Sequence, residues 1–169
     1  MAKGKGKATA GLMGEAIKFL RRANRRNRRG RMNPHFRDHV FKGHERPGLP
    51  SGSGYHYRPG GKDWPGRRLK PGTSVTKDPA TGAYRGQPQF WDHTTNPPGW
   101  KNKAGNGGES SFFPDHWPPQ KVDAAIAGAF HKGTPVPGTN KWRGTYDGVT
   151  IEGFYDGQGG YTHGWPIVP

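Results

Sequence analysis

The chain has no cysteine, which removes disulfides and thiolate metal sites and leaves the redox environment open. Apolar residues are also scarce, at 29% of the chain, and no run of about 18 could carry it across a bilayer. Acids are few, 12 Asp and Glu against 27 Lys and Arg, and they are dispersed. That scarcity leaves little for glycoside hydrolysis by paired carboxylates. The Gly-rich stretch from Gly43 to Gly61 lacks the Gly-x-x-x-x-Gly-Lys-Ser/Thr pattern of a phosphate loop. No Gly-x-Ser-x-Gly elbow occurs either, so a serine-hydrolase nucleophile is missing.

What is present is glycine and proline, 29 and 17 of 169 residues, a composition usually linked to disorder. Six Trp, six Tyr and eight Phe argue against disorder throughout and suffice for a modest core surrounded by loops. The net charge of +15 is uneven. Residues 1–31 hold eleven Lys or Arg and one acid, Glu15, so this segment reads as a basic arm. Such charge attracts polyphosphate by counterion release, with anionic lipid as the competing partner. Ala8 to Gly14 is broken by glycine and followed by Glu15 and Lys18, a poor signal-peptide core.

Residues 1–10 read as disordered, and Leu12 to about Arg29 has helical spacing in Leu12, Ala16, Phe19 and Leu20. The boundary between arm and domain is set at residues 33 and 34. A helix is predicted over 118–132, where Val122, Ala125, Ile126, Ala129 and Phe130 make one buried stripe. Asp115 is the expected cap and Gly133 the stop. Strands are expected at Gly82–Gly86 and around Gln89–Trp91, and residues 101–108 read as a flexible loop. Asp147-Gly148 between Trp142–Tyr146 and Val149–Tyr155 signals a type I′ hairpin, followed by a third strand from Tyr161 to Val168. The fold class is α+β, a small twisted antiparallel sheet packed on helices and preceded by the basic arm.

Eight histidines are the candidates for chemistry. His131 suits a helix C-terminus and His116 a helix start without any further role. A zinc site finds no fitting spacing; His35 and His39 are four apart but interrupted by Asp38, so no metal is assigned. His39, four residues before Gly43, and His56 in Gly54-Tyr55-His56 remain, together with the polar step Tyr161-Thr162-His163. RNA carries its own nucleophile, so cleavage needs one group to take the 2′-hydroxyl proton and another to protonate the departing 5′-oxygen. Two imidazoles can do both near neutrality with no cofactor. A hydroxyl or an ammonium can stabilise the added charge on phosphorus.

The segment Ser110-Ser111-Phe112-Phe113-Pro114-Asp115-His116-Trp117, the helix after it, Gly148 to Phe154, and Thr162-His163-Gly164-Trp165-Pro166 together resemble the bacterial EndoU-type nuclease domain. His39 to Gly43, Gly54-Tyr55-His56 and Gly82-Ala83-Tyr84 look like its upstream elements. The resemblance spans about residues 34–169. It implies an RNA endonuclease leaving a 2′,3′-cyclic phosphate, with an EndoU/ribonuclease-like fold. It also implies the toxic domain of a polymorphic or contact-dependent toxin, delivered by a larger secreted system into the cytoplasm of a target bacterium. The partners expected are RNA, tRNA among them, and a cognate acidic immunity protein, the chain itself being a monomer.

The site residues expected on this basis are His39 and His56 as the acid–base pair, in either order, and Thr162 as phosphate ligand. Tyr161, His163 and His44 stand as alternates, and Lys42, Arg58 and Lys62 as RNA contacts. Thr162 lies three residues before Trp165 where the family pattern has nearer two, which puts His163 in competition for its place. Strict alternation with Thr162 facing the site puts Tyr161, His163 and Trp165 on the other face, with Trp165 in the core. A bulge at the neighbouring glycines would break that rule.

Overall fold

The computed structural model describes residues 5–25 and 32–169, the side chains of 5–10 excepted. The elements run α1 (Lys5–Arg25), α2 (Pro34–Phe41), β1 (Arg67–Leu69), β2 (Thr76–Lys77), β3 (Tyr84–Gly86), β4 (Pro88–Asp92), β5 (Gly99–Asn102), β6 (Ser110–Phe112), α3 (Pro119–Lys132), β7 (Thr134–Pro135), β8 (Lys141–Tyr146), β9 (Val149–Tyr155) and β10 (Tyr161–Ile167). They make three antiparallel sheets, ordered β1-β4-β5, β2-β3-β6 and β10-β9-β8-β7. Helices and antiparallel sheets share one core, so the class is α+β.

The four-stranded sheet follows from its turn chemistry. Asp147 and Gly148 both have positive φ, 49° and 79°, as a type I′ turn demands, and the register closes on Tyr146 opposite Val149. One face of this sheet packs on α3, where Val122, Ala125, Ile126 and Ala129 meet Trp142, Val149 and Ile151, all buried. A Cβ on Gly144 would lie 2.0 Å from the Ala129 carbonyl oxygen, so the helix backbone rests directly on β8. Asp115 does not cap α3. The cap position is Pro118, with no side-chain hydrogen bond, and Asp115 instead accepts from the Tyr84 hydroxyl at 2.5 Å.

The helix α1 begins at Lys5, earlier than Leu12. It is docked on the domain rather than standing free: Ala16 and Leu20 are buried in the common core, and Phe19 stacks on Phe41 of α2 with centroids 5.6 Å apart. Asn24 bridges to α2, accepting from Arg37 at 3.0 Å and donating to Asp38 at 3.5 Å. The remaining arginines of the arm, from Arg26 to Arg31, lie outside the described residues. On the solvent side Lys18, Arg21, Arg22 and Arg25 are exposed, at the i, i+3, i+4, i+7 spacing of one stripe.

Candidate active site

His39 is brought to its place by α2. Asn33 caps the helix through its side chain to the Phe36 amide at 3.0 Å, and Pro34 starts it. The last turn then leaves carbonyls free, and the chain returns across them. The Tyr55 amide donates to the His39 carbonyl at 2.8 Å and the His56 amide to that of Val40 at 2.7 Å. This crossing is possible because residue 54 is glycine. It has φ of +73°, and a Cβ there would lie 2.3 Å from the His39 carbonyl oxygen and 2.9 Å from its ring. Tyr55 also takes a left-handed φ, 77°, unusual for an aromatic residue. Its buried ring against Phe90 and Phe112, and its hydroxyl bond to Asp63 at 2.6 Å, hold it there.

The imidazoles of His39 and His56 end 6.1 Å apart, centroid to centroid. His56 is fixed further by its Nδ1, which lies 2.7 Å from the Ser111 carbonyl oxygen and 3.2 Å from Ser110 Oγ. A carbonyl can only accept, so Nδ1 carries the hydrogen and Nε2 keeps its lone pair. Ser110 Oγ in turn donates to the Tyr55 carbonyl at 2.7 Å. Strand β6 thus sets both the position and the tautomer of His56.

The third imidazole is His163, 4.8 Å from His39 and stacked on Phe36 at 5.2 Å. Strict alternation along β10 fails here. Tyr161 pairs with Tyr155 and Gly164 with Gly153, so an extra residue of β10 is accommodated between those pairs as a bulge. As a result Tyr161 turns into the core against Phe130 and Trp142. His163 and Trp165 both line the cleft, so Trp165 is not a core residue as alternation suggested. Thr162 sits beside the site, its hydroxyl 3.0 Å from His163 Nδ1, and is not among the residues lining the cleft.

The cleft has a volume of about 480 Å³. Besides the three histidines it is lined by Lys103, which comes from the segment 101–108 whose composition alone suggests only a flexible loop. Lys103 is half-buried and donates to the Glu109 carbonyl at 3.3 Å. His44 stands outside the cleft, stacked on His35 at 4.5 Å and 5.7 Å from His39. The expected RNA contacts are not lining residues either. Arg58 is bound to both oxygens of Asp63 and to the Tyr84 hydroxyl, Lys42 closes α2, and Lys62 is exposed beyond the Pro59–Gly61 turn.

Burial and mutual repulsion hold the three imidazoles toward their neutral form. His39 is lowered to about 3, first by burial and then by His163, His44 and Lys103. His163 is lowered to about 4 by burial and by His35. His56 lies well below the usual imidazole value because of burial, then Lys103 and His39, and burial alone lowers Lys103. An anion placed among them would reverse the repulsive part of these shifts. Among the described residues no group of three or more His, Asp and Glu side chains is arranged to hold a metal ion. No helix among them is long and apolar enough to cross a membrane.

Three imidazoles, one of fixed tautomer, and a lysine amine surround one cleft. Residues 34–168 match the family model of the bacterial EndoU nuclease. The chain belongs to that family and carries its nuclease domain, which implies a nucleic-acid substrate. No curated protein and no solved structure matches it.

Proposed function

We propose that this nuclease cleaves RNA without a metal ion, by transesterification to a 2′,3′-cyclic phosphate. The observation that carries the reading is the convergence of His39, His56, His163 and Lys103 on one cleft. His56 is the base: its Nε2 lone pair is free because Nδ1 donates to Ser111. It takes the 2′-hydroxyl proton as the 2′-oxygen bonds to phosphorus. His39 is the acid, and its proton goes to the 5′-oxygen as the bond between phosphorus and that oxygen breaks. In the free site His39 is neutral, and the phosphate monoanion between it, His163 and Lys103 favours its protonation. Lys103 and His163 offset the charge that builds up on the phosphoryl oxygens. Thr162 acts through its hydroxyl on the His163 ring.

The same reading makes the chain the toxic domain of a bacterial competition system, acting on tRNA or other RNA in a target-cell cytoplasm. An acidic immunity protein would fit the basic surface, and the domain acts as a monomer. Incubation with total tRNA in EDTA, with the 3′ ends of the fragments then analysed, tests the chemistry. Cyclic phosphate ends support it. A cofactor-dependent cut points to a metal nuclease, and bound but intact RNA points to a binding protein.

A further inference from the structure

Two tryptophans stand apart from the core, in a chain of which only 29% is apolar. Trp91 and Trp100 are half-buried, and neither packs against the common core. They lie opposite each other on β4 and β5, and their rings meet edge to face, 5.3 Å apart and inclined by 69°.

Period-two alternation decides what shares their face of the β1-β4-β5 sheet. Phe90, Lys101 and Asp92 turn inward and are buried, with Lys101 donating to Asp92 at 3.2 Å. Arg68, Gln89 and Asn102 form the outer row beside the tryptophans, each opposite the next in the register. Arg68 Nε donates to Gln89 Oε1 at 2.8 Å, and Gln89 Nε2 donates to Asn102 Oδ1 at 3.0 Å. The Arg68 guanidinium lies over Trp100, 4.3 Å from the ring centroid. The neighbour of Trp91 on its other side is Gly66, whose carbonyl accepts from the Trp91 amide at 2.9 Å. No side chain therefore stands against that ring from the β1 side.

The chemistry of this face favours a polyanion that carries flat rings. Asp92 is the one acid of these three strands, and it is turned inward. Among the described residues Arg68 has no carboxylate partner, and Lys70 stands exposed just past β1. Indole and guanidinium planes both stack on nucleobases, and stacking tolerates any base. A sugar chain would need hydrogen-bonding groups around the rings, but the Gln89 and Asn102 amides are bonded to each other. The face is also close to the cleft in sequence. Three residues after Trp100 the chain supplies Lys103 to the cleft wall, roughly 10 Å of extended backbone away.

We propose that the face formed by Arg68, Trp91 and Trp100 is a second RNA-binding site, outside the cleft. Unpaired bases stack there on the Trp91 ring and the Arg68 plane, and Arg68 and Lys70 meet the phosphates. The site adds affinity for longer RNA without reading its sequence. This inference rests on the RNA reading above and adds where the substrate extends beyond the cut.

The test compares a dinucleotide, which holds one phosphodiester and fills only the cleft, with a single-stranded RNA of about twelve nucleotides. The longer RNA is also made in a 2′-O-methylated form that cannot be cut, and its binding is followed by fluorescence anisotropy. Trp91→Ala and Trp100→Ala each weaken that binding about tenfold, within the range for loss of one stacked base. Dinucleotide turnover stays at the wild-type rate in both variants. Against the chance that a variant fails to fold, wild-type protein is irradiated with the uncut RNA carrying 5-bromouridine, and adducts are mapped by peptide mass spectrometry. Adducts fall on Trp91 or Trp100. Unchanged affinity in folded variants, an equal loss on the dinucleotide, or adducts only elsewhere overturns the proposal and leaves the face to a protein or a carbohydrate. Tryptophan-dependent binding of an RNA that is never cut supports the site and sinks the nuclease chemistry alone.

Discussion

The amide of His56 donates to the carbonyl of Val40, one residue past His39, and this bond makes the two imidazoles parts of one backbone unit. Neither ring needs a flexible loop to meet the other. Two backbone hydrogen bonds tie the Gly54–His56 segment to the end of α2. Under the proposed mechanism the pair is thereby preorganised for proton transfer in opposite directions.

Under the proposed mechanism, replacing either ring removes one proton transfer. His39→Ala and His56→Ala are each expected to lower RNA cleavage by at least ~100-fold, the lower range for general acid–base catalysis. Single-turnover rates at saturating RNA, with circular dichroism to check folding, measure this. Near-normal rates in a folded variant would remove that histidine from the mechanism.

The bulge in β10 sets the next expectation. It turns His163 into the cleft and leaves Thr162 beside it, so His163→Ala should reduce cleavage more than Thr162→Val does. Both variants should remain folded, and their rate constants should differ by about tenfold, modest for a group that only offsets charge. Equal rates for wild type and His163→Ala would restrict the third imidazole to a packing role.

Backbone geometry at Gly54 gives a stability test. Gly54→Ala places a Cβ against the His39 carbonyl and ring at a left-handed φ. The conformational term alone costs about 1–2 kcal/mol, and the clash adds to it. A denaturant titration that shows no loss of stability would mean that the crossing of α2 is not as described.

The lowered imidazole pKa values make stability depend on pH, with a definite sign. His39 and His163 are lowered from 6.5 to about 3 and about 4. Between those values and 6.5 the unfolded chain binds more protons than the folded one. Stability therefore rises with pH through this window, is complete above about 6.5, and is lost as pH falls toward 4. Thermal midpoints from pH 4 to 7.5 should show this slope, and His163→Ala should flatten it.

How much of this was legible in the sequence depended on the kind of signal. Helix α3 and the Asp147-Gly148 hairpin were readable because helical periodicity and turn chemistry are local. The positions of His39 and His56 were readable because glycines mark the tight crossing. The role of Trp165 was not, since a bulge changes which face a side chain takes and leaves little trace in composition. Lys103 was hidden for a related reason. Its loop reads as flexible, and only the long-range bridge between Gly52 and Lys103 brings it to the histidines. The docking of α1 depends on Ala16, Phe19 and Leu20 finding Phe41, a tertiary contact that overrides the polar look of the segment.

The most direct test of the account is cleavage, in EDTA, of one RNA in two forms, all-ribose and with a single 2′-deoxy residue at the mapped cut site. The account predicts that the ribose form is cut to a 2′,3′-cyclic phosphate and that the substituted site is not cut at all. Cleavage of the 2′-deoxy site, or loss of all cleavage in EDTA, would contradict it.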